Sequence, residues 1–211
     1  SFSAAVTIEA SAVNATLGEK TAPAKRVADF DVSVAQALPK GQKMDFVVEK
    51  TTELGAGAIL PFCSERAIAR EASAAKLARW RRLAKTAAQQ SGRADVPVVA
   101  GVSSYAALLD RFAEFDAVLF AWELAARVPL RERLPQLLAG ARRVLIVVGP
   151  EGGFTHAEAE AASARGAAAI WLGERILRTE TAALALLAIV DTFAPYGTET
   201  PAGPELSAGP S

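Results

Sequence analysis

Val144-Leu145-Ile146-Val147-Val148-Gly149-Pro150-Glu151-Gly152-Gly153-Phe154-Thr155-His156-Ala157-Glu158 is the stretch whose reading decides the fold. Its first five residues are apolar without alternation, the pattern of a strand buried on both faces, as in a parallel sheet. A glycine-rich turn follows. Thr155 with Glu158 three positions later is a capping-box signature, so the sequence predicts a helix from His156 to about Arg165. Strand, turn and helix in that order make half of a βαβ unit.

The same alternation extends outward in both directions. On the C-terminal side, Ala167–Leu172 reads as a second buried strand and Glu180–Phe193 as a final helix. On the N-terminal side, Leu130–Leu138 reads as a helix closed by Gly140, Ala117–Trp122 as a strand and Tyr105–Phe112 as a helix. Val96–Val102 is a predicted strand, Ala74–Gln90 a long Ala/Arg/Lys helix, and Ala58–Phe62 a short apolar strand. Met44, Val47, Val48, Thr51 and Leu54 stand at helical spacing, giving a helix over Lys43–Leu54 that stops at Gly55. The whole predicts an α/β fold with a mostly parallel sheet and helices on both faces. Before it, Phe2–Val13 and Val27–Ala37 alternate like strands, with the polar Gly18–Pro23 between them as a turn. The rhythm changes near Gln36–Lys40. That divides the chain into a small β element over residues 1–36, an α/β domain over 37–194 and a flexible Pro/Gly/Ser/Thr-rich tail over 195–211.

Composition narrows the chemistry. The 211 residues are 51% hydrophobic and 22% charged, enough apolar surface for a core. One cysteine (Cys63) and one histidine (His156) exclude an intrachain disulfide and a Cys/His zinc site, and leave a Ser–His–acid or Cys–His engine only His156. His156 reads as a helix-start residue, Cys63 as a strand residue and Trp80 as packing, whereas Phe120 and Trp122 suit either core or pocket wall. No apolar run is long enough to span a membrane, and Ser1–Ala10 lacks the order of a signal peptide, so a cytoplasmic setting is expected. Net charge is zero, 23 basic against 23 acidic residues, but the distribution is uneven. Arg66, Arg70, Lys76, Arg79, Arg81, Arg82, Lys85 and Arg93 face a single acid, Glu71, within residues 66–93. Such a segment can steer an anionic partner locally, or be an ordinary solvated helix face.

Ligands of open α/β sheets sit at the carboxyl ends of the strands. Three loops fall there: Phe120-Ala121-Trp122-Glu123, Gly149–Phe154, and Leu172-Gly173-Glu174-Arg175-Ile176-Leu177-Arg178-Thr179-Glu180-Thr181-Ala182. The second is neither a Walker loop nor a dinucleotide fingerprint, which disfavours ATP and NAD. The helix that opens from the third, Ala182–Val190, is apolar all round. It must therefore thread into the domain or pack on another subunit.

Gly149-Pro150-Glu151-Gly152-Gly153 together with Leu172–Ala182 closely resembles the knot motifs of the bacterial 16S ribosomal RNA (uracil-N3)-methyltransferase family, in the knotted SPOUT class. Lys43-Met44-Asp45-Phe46, Glu49-Lys50, Glu53-Leu54-Gly55, Ser64-Glu65-Arg66 and Gln89–Arg93 resemble its other signatures, over about Val32 to Phe193. The resemblance implies a deep C-terminal trefoil knot, a homodimer through the knot region, S-adenosylmethionine as cofactor without a metal, and 16S rRNA in the 30S subunit as partner. It implies methylation of N3 of a uridine in the decoding region. The alternatives are another SPOUT enzyme acting on tRNA or a ribose 2′-hydroxyl, and a non-catalytic RNA-binding or ribosome-assembly protein. The family's N-terminal PUA-like β-barrel is represented here by too few residues to be whole, and a truncated barrel is expected.

The implied cofactor-binding residues are Phe120, Ala121, Glu123, Val148, Gly149, Pro150, Glu151, Gly152, Gly153, Leu172, Gly173, Ile176, Leu177, Arg178, Thr179 and Ala182. Uracil N3 must lose a proton before it attacks, so the site must hold negative charge on the uracil oxygens or offer a base. Arg178 is the candidate for the first task, and Glu180 or Glu151 for the second. Glu180 also suits a helix N-terminus without any catalytic part. Candidate RNA contacts are Lys50, Arg66, Gln89 and Arg93, with Arg79, Arg81, Arg82 and Lys85 as a cationic helix face.

Overall fold

A computed structural model describes residues 2–9, 12–20, 30–67 and 72–194. Strands β1 (Phe2–Glu9) and β2 (Ala12–Lys20) form an antiparallel hairpin. The polar turn expected at Gly18–Pro23 is thus partly strand: the alternation of Val13, Ala15 and Leu17 carries β2 through Gly18 to Lys20. The break falls instead before Ala12, inside the run that alternation had joined as Phe2–Val13. Residues 21–29 and the tail at 195–211 lie outside the described residues.

The rest alternates as expected: β3 (Asp31–Ala37), α1 (Lys43–Glu53), β4 (Ala58–Cys63), α2 (Ala74–Gln90), β5 (Val98–Val99), β6 (Ser103–Ser104), α3 (Tyr105–Asp110), β7 (Ala117–Ala121), α4 (Leu130–Leu137), β8 (Arg143–Val148), α5 (His156–Ala164), β9 (Ala168–Ile170) and α6 (Thr179–Asp191). Ser73 caps α2 by accepting from Lys76 N–H, and Thr155 and Glu158 complete the capping box of α5. Gly55, at φ +96°, ends the α1 turn in a conformation that L side chains resist. Pro97, which cannot donate to a ladder, and Gly101 reduce the expected Val96–Val102 strand to the two-residue β5, and β6 lies just beyond it.

The large sheet runs β5-β4-β3-β8-β7-β9, with β6 also on β4, and every pairing in it is parallel. This corrects the domain boundary. β3, assigned from its rhythm to the N-terminal element, is a central strand, paired with β4 on one edge and β8 on the other. The α/β unit therefore begins by Asp31, not at residue 37. Val144–Val148 are buried throughout, as a strand covered on both faces must be.

One face of the sheet packs Val34, Ile146 and Leu119 against α4 and α6, and this layer continues through Ile59 to α1 and α2. The other face packs Val147, Leu145 and Phe62 against α3 and α5. α1 and α5 thus leave the neighbouring strands β3 and β8 on opposite faces, which opens a crevice at their carboxyl ends. Helix α6 follows edge strand β9 yet packs on β8, β3 and α1 in the middle of the sheet. Its burial is not complete: Ala183, Leu186, Leu187 and Val190 face the core, while Ala188 and Ile189 are exposed. Among the described residues no helix is long and apolar enough to cross a membrane.

Candidate active site

The loops after β7, β8 and β9 converge on one cleft of about 1010 Å³ at the carboxyl end of the sheet. Ala121, Glu123, Val148, Gly149, Pro150, Glu151, Gly152, Gly153, Leu172, Gly173, Ile176, Leu177, Arg178, Thr179 and Ala182 all line it. Phe120 does not. It is 1% exposed, its ring centroid 4.2 Å from that of Phe154, and it belongs to the core beneath the cleft floor. Strand periodicity explains this, since Val118 and Phe120 share the face that turns toward α5. Trp122, two residues on and past the strand end, lines the cleft. Lys43, Arg127 and Trp171 line it as well, and the sequence had suggested no role for them there.

Packing requirements shape the glycine loop. A Cβ on Gly149 would stand 2.9 Å from the Phe154 ring, which fills the space under the loop. Gly153 has φ +66°, and a side chain there would collide with the Glu123 carboxylate. Arg66 braces the loop from outside, its Nη1 donating to the Gly152 carbonyl at 2.9 Å. On the opposite wall the Trp122 indole N–H is buried and unpartnered, and its ring meets His156 edge-on at 5.3 Å.

Charge in the cleft is organised around Lys43, at the start of α1. Its Nζ donates to Glu151 Oε1 at 2.9 Å and lies 3.4 Å from Glu180 Oε2. The Lys40 backbone N–H also donates to Glu151 Oε1, at 3.1 Å. Burial raises the Glu151 pKa, but the Lys43 ammonium and two backbone N–H groups outweigh it, so the carboxyl is held below its ordinary value. The hydrogen bond that the Lys43 ammonium donates to Glu151 leads the causes that hold its pKa above the ordinary lysine value. Both groups are therefore ionised across the neutral range. Of the two candidate bases, Glu151 lines the cleft, whereas Glu180 is turned toward Lys43 behind the lining, its carboxylate 12% exposed. Arg178, at the N-cap position of α6, lines the cleft, is exposed and forms no ion pair among the described residues.

The candidate RNA contacts separate into groups. Arg82, Lys85 and Gln89 are exposed on one side of α2. Arg79 is exposed but paired with Asp45 at 2.8 Å, and Arg81 Nε donates to the Val99 carbonyl at 3.2 Å. Lys50 lies between Glu49 and Glu53, each 2.8 Å away. Arg93 departs from the expectation of an RNA contact. Its side chain is 10% exposed, with Nη1 donating to the carbonyls of Thr52 and Ala56 and Nη2 paired with Asp95. It joins the Thr52 carbonyl in the last turn of α1, which also accepts from the Gly55 N–H, to the Ala56 carbonyl just past the helix. Among the described residues no group of three or more His, Cys, Asp or Glu side chains could hold a metal ion.

A family profile described as RNA methyltransferase domain matches residues 26–191. The chain belongs to this family. It is 39% identical over 165 residues to the ribosomal RNA small subunit methyltransferase E of Bacillus subtilis, covering 75% of this chain and 64% of that protein. The protein of the same name from Mycobacterium bovis is also 39% identical, over 163 residues, covering 75% and 62%. The chain thus spans less than two thirds of the length of these curated relatives. Among solved structures, the Neisseria gonorrhoeae ribosomal RNA small subunit methyltransferase E bound to S-adenosyl methionine superimposes with a TM-score of 0.74. That match has 33% identity and covers 93% of this chain and 79% of that one.

Proposed function

We propose that the cleft binds S-adenosylmethionine and that the protein methylates N3 of a uridine in small-subunit ribosomal RNA. The observation that carries the reading is the convergence of the three βα loops on one cleft, where Lys43 pairs with Glu151 and Glu180 while Arg178, at the start of α6, lines the cleft without an ion pair among the described residues. The names of the relatives support the substrate, and the ligand of the Neisseria structure supports the cofactor. The cleft fits that group. Trp122, Leu172 and Leu177 give apolar wall for a purine, glycines bring backbone to the surface, and the unpartnered Trp122 N–H offers a donor. Backbone groups of Val148–Gly153, Leu172–Gly173 and Ile176–Ala182 would hold it, with Ala121 and Glu123 on the facing loop.

The bound cofactor supplies an electrophilic sulfonium methyl that needs no further activation. The protein's task is to make N3 nucleophilic. Arg178 stabilises the negative charge that spreads onto the uracil oxygens as the N3 proton leaves. Glu151, kept ionised by Lys43, accepts that proton, while Glu180 holds Lys43 in place. Arg82, Lys85 and Gln89 contact the RNA backbone, with Arg66 at the loop edge.

Three structural features complete the reading. The return of α6 from the edge to the middle of the sheet supports a trefoil knot. Ile189 and Phe193, with Phe46 on the neighbouring α1 and Leu54 just after it, are exposed apolar side chains that support a homodimer through this region. The β1–β2 hairpin is taken as part of a PUA-like RNA-binding element, with the methyltransferase domain over about 30–194. Action on ribosomal RNA in the 30S subunit supports a cytoplasmic setting.

The test is calorimetric titration with S-adenosylmethionine, followed by methyl transfer with Arg178→Ala. Binding within about threefold of wild type and turnover lowered at least a hundredfold are expected. Undiminished turnover removes Arg178 from the chemistry.

A further inference from the structure

Gln36 is a polar residue where the fold asks for an apolar one. It sits near the end of central strand β3, fully buried, in register with Val148 on β8 and Pro61 on β4. Burying a primary amide is unfavourable unless its groups find partners. Its Nε2 donates to Thr179 Oγ1 at 2.8 Å and to the Ala37 carbonyl at 3.0 Å, but its Oε1 is buried without a partner. Thr179, 5% exposed, passes the chain on by donating its hydroxyl hydrogen to the Gly149 carbonyl. One buried line of hydrogen bonds therefore joins the central strand, the first residue of α6 and the first residue of the glycine loop.

The two members of this line beyond Gln36 belong to the cleft. Gly149 opens the loop that faces the cleft, and Thr179 immediately follows Arg178. Arg178 has no side-chain partner among the described residues to set its direction, so its direction depends on the backbone that carries it. That backbone is held at Thr179 from two sides. The amide also leaves its Oε1 buried without a partner, so its presence on the strand costs stability relative to an apolar residue of the same shape.

We propose that Gln36 is a positioning residue for methyl transfer, acting through Thr179 to hold the glycine loop and Arg178 in one mutual arrangement. The proposal rests on the methyltransferase reading of the cleft. Gln36→Leu conserves shape, and it removes the unpartnered oxygen together with the donor. A purely structural Gln36 and a positioning Gln36 therefore differ in what the substitution does.

The experiment measures melting temperature, S-adenosylmethionine affinity by calorimetry, and single-turnover methylation of unmodified small subunits. It compares wild type, Gln36→Leu, Thr179→Val and Thr179→Ser. The expected result for Gln36→Leu is an unchanged or raised melting temperature with methyl transfer slowed about tenfold or more, the scale of a small misplacement of reacting groups. Thr179→Val is slowed at least as much, and Thr179→Ser recovers part of the loss because it keeps the hydroxyl. Wild-type transfer with an undiminished Gln36→Leu variant overturns the relay alone. A Gln36→Leu protein that melts lower and transfers at the wild-type rate also overturns it, as a structural role only. Failure of the wild type to bind S-adenosylmethionine overturns the reading of the cleft itself.

Discussion

Replacing Arg93 by alanine separates a structural arginine from an RNA-binding one. Its Nη1 donates to the Thr52 carbonyl at 2.7 Å and the Ala56 carbonyl at 2.9 Å, and its side chain is 10% exposed. A hydrogen bond from a charged donor contributes roughly 1.5–3 kcal/mol. The two bonds share one nitrogen and are not additive, so about 3 kcal/mol is the expected loss. The Asp95 contact adds little, because that carboxylate is half exposed and screened by water. For a chain of this size that loss lowers the melting temperature by about 6–12 °C. The assay pairs thermal denaturation with RNA binding over a salt series. The affinity of the folded variant should keep the wild-type salt slope, since no phosphate contact is removed. Wild-type melting with a slope reduced by about one contact would refute the reasoning and return Arg93 to the RNA surface.

Reversing Arg82 and Lys85 to glutamate should weaken RNA binding and flatten its salt dependence by about two phosphate contacts, with unchanged melting; an unchanged slope means this face of α2 points away from RNA. Phe120→Ala should destabilise the protein by about 3–5 kcal/mol through the cavity it leaves against Phe154, seen by denaturant titration. Any loss of cofactor affinity without that destabilisation would show that the ring is a cleft wall. The Glu151 carboxyl has a folded pKa below its unfolded value, so its pairing with Lys43 is fully present above the unfolded carboxylate range and is lost as pH falls through the lowered folded value. Lys43 is shifted upward, so its share is present below the ordinary lysine value and lost above it. Cofactor affinity should consequently be flat from about pH 5.5 to pH 9. In Lys43→Met the low-pH edge of methyl transfer should move upward, as Glu151 returns toward an ordinary carboxylate. An edge that stays in place in that variant contradicts the pairing.

The elements that could be read from the sequence are those set by local chemistry. α1 has helical spacing bounded by Gly55, α2 is rich in the helix formers Ala, Arg and Lys, and α5 has its capping box. β8 shows its double burial as an unbroken apolar run. The cleft loops were legible because glycines cluster where the strands end. What the sequence hid depends on distant pairing. β3 looks like its N-terminal neighbours because a short strand carries no mark of its partners, and its place between β4 and β8 is set by crossovers. Lys43 meets Glu151 across 108 positions, Gln36 meets Thr179 across 143, and Arg93 reaches Thr52 across 41. Composition marks such residues as charged or polar without saying which way they turn. Phe120 was ambiguous beside Trp122 for a narrower reason, since the end of β7 lies between them and the period of two stops there.

The central claim is methyl transfer from S-adenosylmethionine to uracil N3. Its most direct test incubates the protein with methyl-labelled S-adenosylmethionine and small ribosomal subunits that lack the modification, then digests the RNA and identifies the labelled nucleoside by mass spectrometry. The account predicts 3-methyluridine. Label on a ribose hydroxyl or another base, or no transfer by protein saturated with S-adenosylmethionine, would contradict it.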